Sequence, residues 1–300
     1  MNQLEILQRF TQLQHPFLDP IAAVLTFLGN EEFYFIILPL IYWCVSKSIG
    51  FRLFYIFIFS IYINSLLKIS FAVTRPIGVE GVNSLFVSSA EVGSHFPHDS
   101  FPSGHAQGSA TLWGYLAYIS RSTVFITFAG SLILLISLSR LYTGVHWPSD
   151  IIVGLGLGLA IILISIYVTK FLSSISIGLQ WVLAIIFPIL LVFLFPAEEG
   201  YKYAGLLLGA GIGYLLEGKF VKMEISSSLT RKGFALLIGL GGMFAIQIGL
   251  KVIFPEAFIY DFIRYGFIGL WGLFVAPLLF VLLHIYKDEQ KTFPMYTTRL

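Results

Sequence analysis

Three short segments combine residue types suited to holding an oxyanion and attacking it. Lys68 and Arg75 stand seven residues apart. Seven residues make two helical turns, so a helix running to Pro76 would carry both cations on one stripe, and Pro76 would end that helix. The run Phe101-Pro102-Ser103-Gly104-His105 leads into a helix-compatible stretch at Ala106. Pro102 and Gly104 suit a tight turn and Ser103 can cap the helix. The N–H groups at Gly104 lie where the helix dipole favours an anion, with His105 in the first turn beside them. The third segment is Ser139-Arg140, five residues, His146, three residues and Asp150. If Pro148 opens a helix, Asp150 shares a face with His146. A carboxylate there would hold one imidazole N–H and leave the other ring nitrogen as a nucleophile.

Each segment alone has a plain structural explanation: cations snorkelling to headgroups, a capped helix start, a histidine held at a loop–helix junction. Together they place three cations, two histidines and one aspartate at ends of apolar spans on one side. A phosphate monoester carries about −1.5 to −2 charge at pH 7, and three cations with helix N–H groups match it. His95 and His98 show no spacing that reads as a metal site and are taken as loop residues. No metal and no cofactor is expected.

The elements that must position these residues are membrane helices. Of 300 residues, 57% are hydrophobic and only 11% charged, with a mean hydropathy of +0.87. A soluble domain carries roughly a quarter charged residues, so this chain is solvated largely by lipid. The net charge of +2 with scattered basic residues gives no reason to expect nucleic acid. Cys44 is the only cysteine, which excludes an intrachain disulfide.

Candidate spans fall near 51–68, 104–120, 124–139, 150–169, 175–195, 201–216, 234–254 and 266–285. Residues 19–46, interrupted by Gly29, Asn30, Glu31 and Glu32, could be one broken span or two segments. No ten-residue alternation suggests a barrel. Leu4, Leu7, Phe10 and Leu13 make residues 1–18 an amphipathic segment suited to the membrane surface, and no cleavable signal peptide is expected.

With one span before Lys47, 11 of the 18 basic residues fall on one side of the membrane. That side is then cytoplasmic, and the 76–103 loop, with Glu80 and Asp99, lies outside. The plasma membrane is the expected location. Small residues four apart recur at Gly154-Leu-Gly156-Leu-Gly158 and between Gly205 and Gly213; such spacing lets helices approach closely, or join a homo-oligomer through these faces, while ordinary glycine tolerance in membrane helices explains both runs as well.

Lys68-x6-Arg75-Pro76, Pro102-Ser103-Gly104-His105 and Ser139-Arg140-x5-His146-x3-Asp150 resemble, in order and without departure, the three signature motifs of the type 2 phosphatidic acid phosphatase superfamily. Soluble vanadium haloperoxidases share these motifs, and the lipid-solvated composition favours the membrane phosphatase branch. The resemblance covers about 20–195. It implies an all-α, polytopic membrane bundle: a six-helix phosphatase core over 19–195, with about three extra transmembrane helices over 196–300 whose role it leaves unexplained. It implies metal-independent hydrolysis of a lipid phosphate or diphosphate at the non-cytoplasmic face, through a phosphohistidine. His146 would be the nucleophile, Asp150 its holder and His105 the acid and base; Lys68, Arg75, Ser103, Gly104 and Arg140 would bind the phosphoryl group. The expected partners are a phosphorylated lipid and the bilayer. A lipid phosphotransferase would use identical residues. A transporter with a phosphatase-like core remains the reading from another class, although buried charges near span centres, which a transporter predicts, are not the pattern here.

Overall fold

The long apolar runs fold as helices, and the computed structural model describes residues 2–90 and 95–288. The chain divides into two units, one of residues 1–35 and 56–173, the other of residues 36–55 and the chain from 174 on. Among the described residues seven helices are long and apolar enough to cross a membrane, or eight spans if one bent pair counts as a single span. Regular structure is otherwise slight: one antiparallel pair, β1 (Met223–Glu224) with β2 (Lys287–Asp288), among the described residues.

The first unit holds α1 (Gln3–Thr11), α2 (Asp19–Phe27), the start of α3 (Glu31–Cys44), most of α4 (Lys47–Phe71), α5 (Gly104–Ser120), α6 (Thr123–Tyr142) and α7 (Pro148–Ser174). Residues 19–46 are two helices, α2 and α3, bent by 52° at the break. Two expectations change. Helix α4 stops at Phe71, because Ala72 takes a left-handed φ of 46° and the residue before Pro76 is disfavoured in helical geometry. Lys68 and Arg75 therefore do not share a helical stripe; Arg75 lies on the extended segment beyond the helix. The apolar side of α1 also serves the protein interior: Leu7 is fully buried with Ala106, Leu141 and Ile151, and Phe10 packs against that cluster. Leu13 alone of the stripe is well exposed, at 61%.

Gly154 and Gly158 do more than sit tolerated in a membrane helix. A Cβ on Gly154 would stand 2.7 Å from the Ser103 carbonyl oxygen, and one on Gly158 would stand 2.7 Å from the Ala110 Cβ, whereas Gly156 faces open space. One glycine stripe of α7 thus lets the start of α5 come into backbone contact, which brings Ser103 and Asp150 together.

The second unit holds the rest of α3 and the start of α4, then α8 (Ile177–Leu194), α9 (Glu198–Leu216), α10 (Leu229–Ile253), α11 (Phe258–Leu270) and α12 (Ala276–Leu282). A π-helical turn, Glu217–Val221, extends α9, and another, Trp271–Val275, joins α11 to α12. The second turn turns carbonyls outward: Gly272 accepts from Trp43 Nε1 at 2.8 Å and Leu273 from Tyr42 Oη at 3.2 Å. Gly205 and Gly209 seat α11, since a Cβ on either would meet the Phe262 or Gly266 carbonyl oxygen at 2.2 and 1.9 Å. That small-residue face is filled by a helix of the same chain.

Candidate active site

All eight residues singled out from the sequence lie in the first unit, on elements that converge. Helix α7 begins at Pro148, so Asp150 falls in its first turn, four residues after His146. The Asp150 carboxylate oxygen Oδ2 accepts from the Trp147 backbone N–H at 2.8 Å and from Ser100 Oγ at 2.6 Å, and lies 3.3 Å from His146 Nδ1. As an acceptor, that carboxylate fixes the imidazole proton on Nδ1 and leaves Nε2 with its lone pair. Arg75 Nη1 donates to that same Nε2 at 3.1 Å. Gln3 Oε1 satisfies the Ser149 N–H at 3.1 Å, so α1 helps cap the helix that carries Asp150.

Ser103 is the N-cap of α5, its Oγ accepting from Ala106 N at 3.4 Å, and its own N–H donates to the Asp150 carbonyl at 3.0 Å. Gly104 and His105 follow in the first turn. Behind them a buried network ties α4 to α5: Asn64 Nδ2 donates to Gln107 Oε1 at 2.8 Å and to the Pro102 carbonyl at 3.3 Å, while Gln107 Nε2 donates to the Ser60 carbonyl at 2.8 Å. Such a network fixes the turn because every member is satisfied. Its signal was present in the sequence, since Ser60, Asn64 and Lys68 recur every four residues on a largely apolar helix.

Arg140 closes α6 and is wholly buried. Its Nη1 donates to Thr26 Oγ1 and its Nη2 to Ser89 Oγ, each at 3.1 Å, while Nε has no partner. His146 is 2% exposed, and burial holds its ring well below the ordinary imidazole range; the neighbouring Arg75, Lys68 and Arg140 charges push it the same way. It is therefore neutral at pH 7. Among the described residues no group of three or more His, Cys, Asp or Glu side chains is placed to hold a metal ion. His98 Nδ1 lies 3.0 Å from Thr74 Oγ1, at the surface.

The sequence reading missed the residue that gathers the first two cations. Asp99, 2% exposed, takes Arg75 in a fork, Nε to Oδ1 at 2.7 Å and Nη2 to Oδ2 at 2.9 Å. Its backbone carbonyl accepts from Lys68 Nζ as well. Backbone bonds from Arg75 N to the Pro97 carbonyl and from Ser100 N to the Val73 carbonyl, both 2.9 Å, stitch the two segments side by side. An acidic residue three before Pro102, facing two cations, was the only clue available. Replacing Asp99 by asparagine should keep the shape but free the guanidinium. The expected result is a KM for phosphate substrates raised about tenfold, with a smaller loss in kcat, because the fork positions a binding group. A change confined to thermal stability, with KM untouched, would count against that role.

Residues 49–174 match the PAP2 superfamily model and residues 201–288 match that of the PAP2 superfamily phosphatase, transmembrane extension. The chain belongs to the PAP2 superfamily. With its series of long apolar helices it is a multi-pass membrane protein. It is 27% identical over 240 residues to a probable sphingosine-1-phosphate phosphatase of Dictyostelium discoideum, covering 72% of this chain and 57% of that one. It is 32% identical over 125 residues to an undecaprenyl-diphosphatase of Sulfolobus acidocaldarius, covering 41% of this chain and 56% of that one. The chain thus spans rather more than half the length of these two relatives. The crystal structure of Aquifex aeolicus LpxE aligns with a TM-score of 0.48 at 25% identity, over 55% of this chain and 94% of that one.

Proposed function

We propose that this protein hydrolyses a lipid phosphate or diphosphate at the non-cytoplasmic face of its membrane, through a phosphohistidine on His146. The observation that carries the reading is the setting of that imidazole: Nδ1 stands 3.3 Å from the Asp150 carboxylate and Nε2 stands 3.1 Å from Arg75 Nη1. The phosphatases among the relatives act on lipid monophosphates and diphosphates by their names, which supports the substrate class. The bias of basic residues between the two sides supports the outer face.

In this reading the phosphoryl oxygens take over the N–H donors of Arg75, which frees Nε2 to attack. The unpartnered Arg140 Nε, Lys68, Ser103 and the Gly104 amide hold the same oxygens. The P–N bond forms as the P–O bond to the lipid breaks, and His105 gives its proton to the departing oxygen. Water then attacks phosphorus, passing a proton to His105, and the P–N bond breaks to release phosphate and neutral His146. The three cations and two carboxylates, Asp99 and Asp150, leave one positive charge in the empty site, which a phosphate dianion more than neutralises.

Purified protein in detergent, given phosphatidic acid, a sphingoid base phosphate and an isoprenyl diphosphate, should release inorganic phosphate from at least one of them. EDTA should leave the rate unchanged, because cationic side chains supply the charge, and vanadate should inhibit. A rate abolished by chelation and restored by magnesium would contradict the mechanism. Absence of phosphate release from the whole set would contradict the function.

A further inference from the structure

We propose that Asn30, in the break between α2 and α3, is a positioning residue for His105, holding the ring proton on Nε2 and making Nδ1 the atom that gives and takes a proton. The inference rests on the reading of His105 as acid and base. Asn30 Oδ1 stands 2.9 Å from His105 Nε2. An amide oxygen can only accept, so Nε2 carries hydrogen. With that proton engaged, Nδ1 is the ring position whose protonation changes: protonated it is the acid of the first step, bare it is the base of the second. Asn30 performs on His105 the part that Asp150 performs on His146, but with no charge of its own. A neutral amide sets a tautomer without opposing the phosphate that the cations attract.

The break is built to do this. Asn30 is tied on both sides, its N–H donating to the Phe27 carbonyl at 3.1 Å and its carbonyl accepting from Tyr34 N at 3.3 Å. Gly29 gives the ring its room, because a Cβ there would stand 2.5 Å from His105 Cδ2 and 3.0 Å from Cγ. Thr26, one turn earlier, receives Arg140 on its side chain. Gly29 lies in the break between the two helices, against the ring. The 52° bend lets the bare backbone reach it. One interruption of the first apolar run therefore supplies a tautomer, clearance and a seat for a cation.

The test compares kcat/KM for a short-chain alkyl phosphate and for p-nitrophenyl phosphate, whose leaving group departs without a proton. Asn30→Ala should lose about 10- to 100-fold on the alkyl substrate and less than about threefold on the aryl one, since only the first needs an acid. Asn30→Asp keeps an acceptor and should keep the wild-type ratio of the two, with a raised KM from its added charge. Gly29→Ala displaces the ring with Asn30 in place and should reproduce the selective loss, so a poorly folding Asn30→Ala does not leave the matter open. Equal losses on both substrates in Asn30→Ala and Gly29→Ala, alongside a selective loss in His105→Ala, would overturn the role of Asn30 alone. Equal losses in His105→Ala as well would overturn the acid–base reading beneath it.

Discussion

Replacing His146 by alanine should reduce lipid phosphate hydrolysis by at least about 10⁴-fold, to a rate set by the remaining cations, because the attacking atom itself is removed. Asp150→Asn should leave a small remainder, about a hundredfold to a thousandfold below the parent protein. An amide there keeps the shape but loses the charge that accepts from His146 Nδ1, Trp147 N and Ser100 Oγ together. The pH profile carries the same logic. The folded-state value of His146 lies below its ordinary one, so the nucleophile stays unprotonated as pH falls through the usual imidazole value of about 6.5. The acid limb of kcat/KM that belongs to His146 should therefore lie below that value. Asp150→Asn, which removes the negative partner, should push it lower still.

The second large effect is expected at Arg75. Arg75→Ala removes a phosphate-holding donor at the reacting nitrogen, and turnover should fall about 10³-fold, the scale of losing one preorganised charge stabiliser. It also strands Asp99, whose fork partner is gone and whose remaining cation, Lys68, stands 3.8 Å from Oδ2. A buried carboxylate deprived of its partner costs about 3–5 kcal/mol. Thermal unfolding in detergent should thus show Arg75→Ala markedly destabilised. The double variant Arg75→Ala with Asp99→Ala should recover stability while staying inactive. With one cation fewer beside His146, the acid limb should move up in Arg75→Ala and stay low in Arg75→Lys, which keeps the charge. Recovery of activity in the double variant would mean that Arg75 only neutralises Asp99 and plays no part in the chemistry.

The residues that read clearly in the sequence are those whose spacing is local or whose type is costly in lipid. His146 and Asp150 lie four apart across a proline that opens a helix, and Ser103 precedes a helix it can cap. Lys68, Arg75 and Arg140 declare themselves because cations near membrane depth need a reason. What stayed hidden depends on the chain folding back on itself. Asp99 reads as a solvated loop carboxylate until Arg75 and Ser100 are hydrogen-bonded across to residues 97 and 73. Thr26, Asn30 and Ser89 are ordinary polar residues whose partners, Arg140 and His105, lie 51 or more positions further along the chain.

Two local rules misled for physical reasons. Seven-residue spacing suggested a shared helical stripe for Lys68 and Arg75, but the left-handed turn at Ala72 ends α4 first, and a carboxylate gathers the cations instead. The amphipathic first segment suggested a surface helix, yet hydrophobic periodicity says only that one face is buried. In this protein Leu7 is buried against α5, α6 and α7 rather than left to lipid. The length and order of the later spans were legible, because about 20 apolar residues in a row admit few other solutions.

The most direct test of the account is the covalent intermediate. Protein mixed with a substrate carrying radiolabelled terminal phosphate and quenched in base within milliseconds should carry acid-labile, base-stable label. Peptide mapping should place that label on His146, and it should vanish in His146→Ala. In His105→Ala it should form still, at least from an aryl phosphate, and persist longer because no base activates water. Label that survives in His146→Ala, or that maps to another residue, would contradict the central claim.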